Sequence, residues 1–487
     1  MLPNKTILAL AMVLFLSVTT RAQQPQTQPL QQSGGGATPV QPIDQQINTG
    51  NSGAPAPAGR GLFVGYAPQN DNGTAQTEPD DRFLSGVESF GLGMVHSFTT
   101  LLDPSAFLTE SVDNGDVPGR WNSATSVGGS LAFIRDWERS QVTLQYTGVK
   151  SFYVPNITAD YFYQNLSAGE SIHFGRWGFL MRDDLIYSPG SNFSGFLAGG
   201  IAPAGGVAAG SPLQPGIAPA ETIFTGFVDT LNNTAVAQVS YSHSRRSAVT
   251  FSGAYGMLHY LQPGYVDSGT ISGNVGYNYA LNRFNSIAGS YSFGQSIFNN
   301  SNVKTTTHAI QGSFGRKISE RLALQLSAGP QFIISQNGLG KQSVSQWFWT
   351  ANGAVTYGPR PKHISYSAAY FHGYTSGSGV FYGTESDTAT GTVRVNVGRA
   401  WIGSINGGYA SNRSFVTLAS GATRFDNWFG GANLSRSLGP QIVFDMAYQY
   451  TQQRGNGACP VAACAITPNR HGVFVRLQWH PWPARIQ

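Results

Sequence analysis

Residues 345–357 divide into two chemically different sets when every second position is taken. Ser345, Trp347, Trp349, Ala351, Gly353, Val355 and Tyr357 form one set; Gln346, Phe348, Thr350, Asn352, Ala354 and Thr356 form the other. Successive side chains of a strand point to opposite faces, so this segment predicts a strand with one apolar face, aromatic at both ends, and one small, mostly polar face. Aromatic residues at the two ends of an apolar face mark the two interfaces of a membrane, with Trp347, Trp349 and Tyr357 in a girdle and Gln346, Thr350, Asn352 and Thr356 turned to a lumen.

The same period returns along the chain. Leu322, Leu324, Leu326 and Ala328 alternate with Ala323, Gln325 and Ser327; Val393, Val395 and Val397 alternate with Thr392, Arg394 and Asn396; Ile442, Phe444, Met446, Tyr448 and Tyr450 oppose Val443, Asp445, Ala447 and Gln449. Brief, mostly basic connections separate the strands, at 135–139, 175–177, 244–247, 281–283, 316–321, 358–362, 398–399 and 438–440, and read as tight turns. Between them lie longer connections rich in Gly, Ser and Asn, such as 188–232, 296–304, 377–387 and 454–470. Short turns at one end and long loops at the other predict an all-β fold, a transmembrane antiparallel β-barrel of about 16–18 strands. Eight turns account for sixteen strands and the segment ending at Trp479 adds one. The even count usual for such barrels asks for one more, expected within residues 83–100.

Composition agrees. Charged residues make up 11% of the 487 positions, and 60 are glycine, against about 25% charged residues in an ordinary soluble domain. Past the N-terminus no apolar run is long enough for a membrane-spanning helix. A closed barrel is the other structure that satisfies every backbone group in lipid. Lys5, the apolar run Ile7–Val18 and Thr20-Arg21-Ala22 read as a signal peptide over 1–22. Residues 23–60, rich in Gln, Pro and Gly, predict a disordered periplasmic leader. The segment 61–120 reads as a first strand or a plug, 121–480 as the outer-membrane barrel and 481–487 as a periplasmic tail. Loss of Lys5 and Arg21 with the signal reduces the formal charge from +5 to +3, too little excess to predict nucleic-acid binding.

The last strand resembles the assembly signal of outer-membrane barrels, with Arg470, Gly472, Val475 and Leu477 in its polar, glycine and apolar places and Trp479 following. The chain departs from that pattern by continuing to Gln487. The stretches Ser376-Gly-Ser-Gly-Val-Phe, Trp428-Phe-Gly-Gly-Ala, Leu434-Ser-Arg-Ser-Leu-Gly and Cys459 to Cys464 with Arg470-His471 resemble a family of uncharacterised outer-membrane β-barrel proteins of acidobacterial type. More distantly, the repeated hairpins resemble barrel porins associated with exopolysaccharide and exosortase systems. These resemblances imply a bacterial outer-membrane location and carry no catalytic residue or ligand.

Candidate chemistry is sparse. Cys459 and Cys464 are the only cysteines; in an oxidising compartment they predict a local disulfide that shapes the tip of the last external loop. Arg182, Asp184, Arg394, Asp445 and Arg476 fall on the lumen phase, either as a selecting ring or as pairs solvating the wall; the phase is ambiguous at Asp183-Asp184. His308, His372 and His471 lie near strand ends on the apolar phase, a place for interfacial polar tips. No G-x-S-x-G elbow occurs, and Gly338-Leu339-Gly340-Lys341 lacks the flanking residues of a phosphate loop. No enzyme, metal site or cofactor is expected. The loop 188–232 is either a constriction folded into the pore or a free external loop. The expected function is a porin-like channel for diffusion or export of small polar solutes or saccharides; the alternative is a plugged barrel serving as a surface scaffold or an accessory of exopolysaccharide secretion. Expected partners are outer-membrane lipid and the barrel assembly machinery.

Overall fold

The computed structural model describes residues 100–486, except 115–120, 138, 155–160, 190–228, 245, 263–264, 283, 300–302, 320–321, 337–342, 359–363, 376–380, 398–400, 416–423, 440, 457–468 and 482–483. The expected signal peptide and leader, most of the long loop 188–232 and both cysteines lie outside the described residues.

Nineteen strands make up a single antiparallel sheet: β1 (Thr100–Asp113), β2 (Asn122–Asp136), β3 (Ser140–Val154), β4 (Tyr161–Phe174), β5 (Trp177–Pro189), β6 (Asp229–Ser244), β7 (Ser247–Tyr260), β8 (Ser268–Ala280), β9 (Asn285–Phe298), β10 (Val303–Ser319), β11 (Leu322–Gln336), β12 (Ser343–Tyr357), β13 (Ile364–Thr375), β14 (Thr384–Val397), β15 (Trp401–Ser414), β16 (Arg424–Ser437), β17 (Ile442–Gly455), β18 (Asn469–Trp479) and the short β19 (Ala484–Ile486). From β1 to β18 each strand pairs with the next, and β1 pairs back onto β18 from Ala106↔Trp479 to Asp113↔Gly472. Eighteen strands therefore close into a barrel without open edges. All eight tight turns expected from the sequence join successive strands at one end, where β1 begins opposite Arg135 and β18 ends opposite Ile442.

The wall is apolar outside. Ile310, Ile405 and Trp347 are 62%, 64% and 69% exposed, on the phase opposite to buried Ala309, Ala410 and Thr350. A soluble protein would bury such residues. Repeated round a closed barrel, they form the band that faces lipid chains.

Two details correct the sequence reading. The first strand is Thr100–Asp113, beyond the expected window 83–100, so the barrel begins well before Trp121. Its alternation is blurred by Pro104 and by Asp103, Glu110 and Asp113. The C-terminal tail does not hang free: Ala484–Ile486 pair with Leu102–Thr100. Between this ladder and the one to β18, residues 103–105 of β1 have no partner strand on that side. Pro104, which lacks an N–H, sits in that gap.

Among the ladders between consecutive strands β1 to β18, one is shorter than the rest. β12 and β13 pair only from Ala351↔His372 to Tyr357↔Tyr366, although β12 continues eight residues further, to Ser343, paired with β11. Above His372 the end of β13 departs from β12, and Phe371 to Thr375 are all buried.

Candidate functional site

The inner face of the wall is the candidate site, and strand period determines its chemistry. Thr109, Ser126, Thr147, Asn165, Ser171, Thr250, Thr270, Thr307, Thr350, Thr388, Asn412 and Asn427 are all buried on inward positions. Hydroxyls join across neighbouring strands: Ser105 with Ser130 at 2.6 Å, Ser126 with Ser151 at 2.7 Å and Thr375 with Thr384 at 2.6 Å. These groups offer donors and acceptors, and Asp103, Asp113 and Arg470 are buried on the same inward phase.

The charged candidates sit within it, and four of the five form two pairs. Arg182 and Asp184, two apart on β5, share the inward face and are joined by Nε–Oδ2 at 2.7 Å and Nη2–Oδ1 at 3.0 Å. Asp445 on β17 and Arg476 on β18 are direct register partners. Arg476 donates from Nε at 3.0 Å and Nη2 at 2.7 Å to the same carboxylate oxygen, both side chains being almost fully buried. Arg394 on β14 shares the inward phase. The ambiguity at Asp183 is resolved outward: it lies between exposed Met181 and Leu185 and accepts a hydrogen bond from Asn233 at 2.8 Å. A lipid-facing carboxylate in mid-strand is unusual, and the amide bond offsets part of its cost.

Aromatic residues on the inward face are laid along the wall by glycines. Phe107 is the register partner of Gly128, and Phe429 that of Gly408. A Cβ at Gly128 would come within 2.5 Å of the Phe107 ring, and one at Gly408 within 2.4 Å of the Phe429 ring. Each ring thus occupies the place of the missing side chain. Phe107 continues into a cluster with Val149, Tyr163 and Ile186.

The outward candidates occupy interface positions. Trp347 packs on Phe332 at 4.8 Å and Trp349 stacks on His372 at 4.0 Å, both toward the long-loop end; Tyr357 meets Tyr366 at the turn end, and Trp479 is exposed at the close of β18. His308 and His471 pair with Tyr291 and Tyr448, each at 2.8 Å, as interfacial tips. His372, on the same phase, is buried beneath Trp349 and bonded to Asp387 at 2.7 Å. In the C-terminal signal, Val475 and Leu477 face outward while Arg470 and Gly472 face inward, and Arg470 is fully buried.

No protein-family model matches the chain, and no curated protein matches it either. Among solved structures it is similar to OccK2 (OpdF) of Pseudomonas aeruginosa in complex with glucuronate, with 10% identity over 80% of this chain and 98% of that one and a TM-score of 0.42. OccK11 (OpdR) of the same organism gives 10% identity, 82% and 100% coverage and a TM-score of 0.41. The ferric-catecholate import receptor Fiu of E. coli K12 gives 9% identity, 80% and 82% coverage and a TM-score of 0.42. The fold itself, an even number of antiparallel strands with short turns at the end where the barrel begins and closes and an apolar outer band, is that of an outer-membrane β-barrel.

Proposed function

We propose that this barrel is a diffusion channel of the bacterial outer membrane for small, uncharged polar solutes, saccharides among them. One observation carries the reading: the inner wall is built of Ser, Thr, Asn and Gln, and four of its five candidate charges are consumed as pairs, Arg182 with Asp184 and Asp445 with Arg476. Paired charges give little long-range field, so the lumen would select by size and hydrogen bonding, and no covalent step is assigned to it. Outer-membrane lipid surrounds the apolar band, and the barrel assembly machinery would read the β18 signal.

The test is conductance of the refolded protein in planar bilayers, paired with swelling of liposomes in neutral sugars. Stable current steps with sugar entry at rates graded by size are the expected result. A folded protein that gives neither would end the reading.

A second reading has its own support. Thr109, Ser126, Thr350 and Asn412 are wholly shielded from solvent although they point inward, as they would be if the interior were filled. In that case the barrel would be a plugged scaffold or an accessory of exopolysaccharide secretion. Crosslinking residues 61–99 to inward-facing Ser327 would favour it; an unblocked conducting pore would dismiss it.

A further inference from the structure

At the turn end of the barrel, four ladders are each extended by one rung past the last register pair. The N–H of His173 donates to the Arg139 carbonyl at 2.7 Å, that of Ser242 to Arg176 at 2.9 Å, that of Ala280 to Arg246 at 2.8 Å and that of Lys317 to Phe284 at 2.8 Å. The rung fixes the residue that immediately precedes β3, β5, β7 and β9, and in the first three cases that residue is an arginine. Arg139, Arg176 and Arg246 are therefore held in a row on the rim, two strands or about 10 Å apart. All three side chains are exposed.

Aromatic rings lie beside the row. Arg139 sits over the exposed ring of Phe174 at 5.6 Å, and Arg135, on the phase of exposed Leu131, over that of Trp137 at 4.6 Å. Trp177, next to Arg176, is exposed and packs on Tyr241 at 4.6 Å. Arg176 donates from Nη1 to the His243 carbonyl at 3.2 Å, which lays its side chain along the rim toward the next hairpin. A guanidinium resting on a ring keeps its N–H edge free for an oxyanion.

These charges are not compensated within the wall. By sequence the turns 135–139, 175–177 and 244–247 hold five arginines and two carboxylates. Among the described residues none of Arg135, Arg139, Arg176 and Arg246 is ion-paired, and Glu170 is the one described carboxylate on the outward phase within five residues of these turns. The long-loop end is built differently: there Arg424 is paired with Asp426 at 3.0 Å, His259 with Asp267 at 2.7 Å and His372 with Asp387 at 2.7 Å.

Unpaired guanidiniums call for anions, and their surroundings narrow the choice. Short turns belong to the periplasmic side of an outer-membrane barrel, where the lipid is phospholipid. A soluble anion would neutralise the row and leave the rings unused. A phospholipid offers its phosphodiester to the guanidiniums and its acyl chains to Phe174 and Trp177. A zwitterionic headgroup brings its own cation against the row, whereas an anionic one does not.

We infer that the rim formed by the β2–β3, β4–β5 and β6–β7 turns is a docking surface for anionic phospholipid of the periplasmic leaflet, with Arg139, Arg176 and Arg246 as its phosphate-binding residues. The inference goes beyond the channel reading and stands whether or not the lumen conducts.

Spin-labelled lipid tests it. The refolded barrel is placed in phosphatidylcholine vesicles with traces of spin-labelled phosphatidylglycerol or spin-labelled phosphatidylcholine, and electron paramagnetic resonance reads the motionally restricted fraction of each. The unmodified barrel should favour the anionic lipid about threefold at low salt, and the preference should shrink at high salt. R139Q/R176Q/R246Q should bring the two lipids to parity. K150Q/R413Q/R454Q, which removes as many exposed cations from the opposite end, should leave the preference unchanged. Equal restriction of both lipids by the unmodified barrel would overturn the inference, and so would an undiminished preference in the first triple variant or a loss confined to the second. Heat-shifted gel mobility shows which variants fold. Should the first triple variant fail to fold, R246Q alone takes its place: a weakened preference supports the docking surface and an unchanged one counts against it.

Discussion

The pair Asp445 and Arg476 shows what a buried charge requires. Each is nearly inaccessible, and the guanidinium gives two bonds to one carboxylate oxygen. Removing one partner strands the other, which costs about 3–5 kcal/mol, whereas an apolar pair of similar volume can be neutral or better. Asp445→Ala should therefore lower the unfolding free energy of the refolded barrel in urea by about 3 kcal/mol. The double variant Asp445→Leu with Arg476→Met should recover most of the loss; equal losses in both variants would mean that the charges do not act as a pair. Sequence alone placed both residues on the lumen phase, because position parity is enough for that. It could not join them, since register partners 31 residues apart lie on two strands separated by a long connection, whose length in sequence does not give the register of β17 against β18. Arg182 and Asp184, two apart on one strand, share a face by parity, but the adjacent carboxylates Asp183-Asp184 left open which of the two faces the lumen.

At the scale of elements, the sequence was most readable where alternation was clean and turns were short. All eight turns were found, and β11, β12, β14 and β17 were read in the correct phase. β1 was expected from parity but placed too early, in 83–100, because a proline and three acidic residues interrupt the pattern of Thr100–Asp113, and a proline in a strand normally argues against one. The structure resolves that objection by placing Pro104 where the ladder passes from β18 to β19. A geometric repeat was also hidden. In four hairpins a lipid-facing tyrosine is bonded to the residue two places beyond its register partner, toward the long-loop end: Tyr291 with His308, Tyr370 with Asp387, Tyr409 with Asp426 and Tyr448 with His471, at 2.7–2.9 Å. The partner changes between His and Asp, so no residue motif reveals the repeat; only register does. β19 gives a test at this scale. A chain ending at His480 should still assemble, because the signal in β18 is retained, with a loss of about 2 kcal/mol for three short-strand pairings and faster amide exchange at Thr100–Leu102. Failure to insert into membranes would instead make the tail part of the assembly signal.

For the whole molecule, the interior and exterior obey opposite solvents through one thickness of chain, and the end of β13, where Phe371 to Thr375 are all buried, is where that rule is suspended. Hydrogen exchange would map the exception. Amides of Ser343–Thr350 that face away from β11 should exchange far faster than those of Ala351–Tyr357, since no strand pairs there among the described residues; uniform protection along β12 would show that another segment covers that side. The short β12–β13 ladder, of seven register pairs, is matched round the circumference by the eight-pair contact of β1 with β18, which β19 extends by three. Two such lines divide the cylinder into an arc of twelve strands and an arc of six. A shell scored along two lines does not flex evenly: stress from crowding in the membrane would concentrate there, and the smaller arc, which carries the buried end of β13, would swing as a leaf on two hinges.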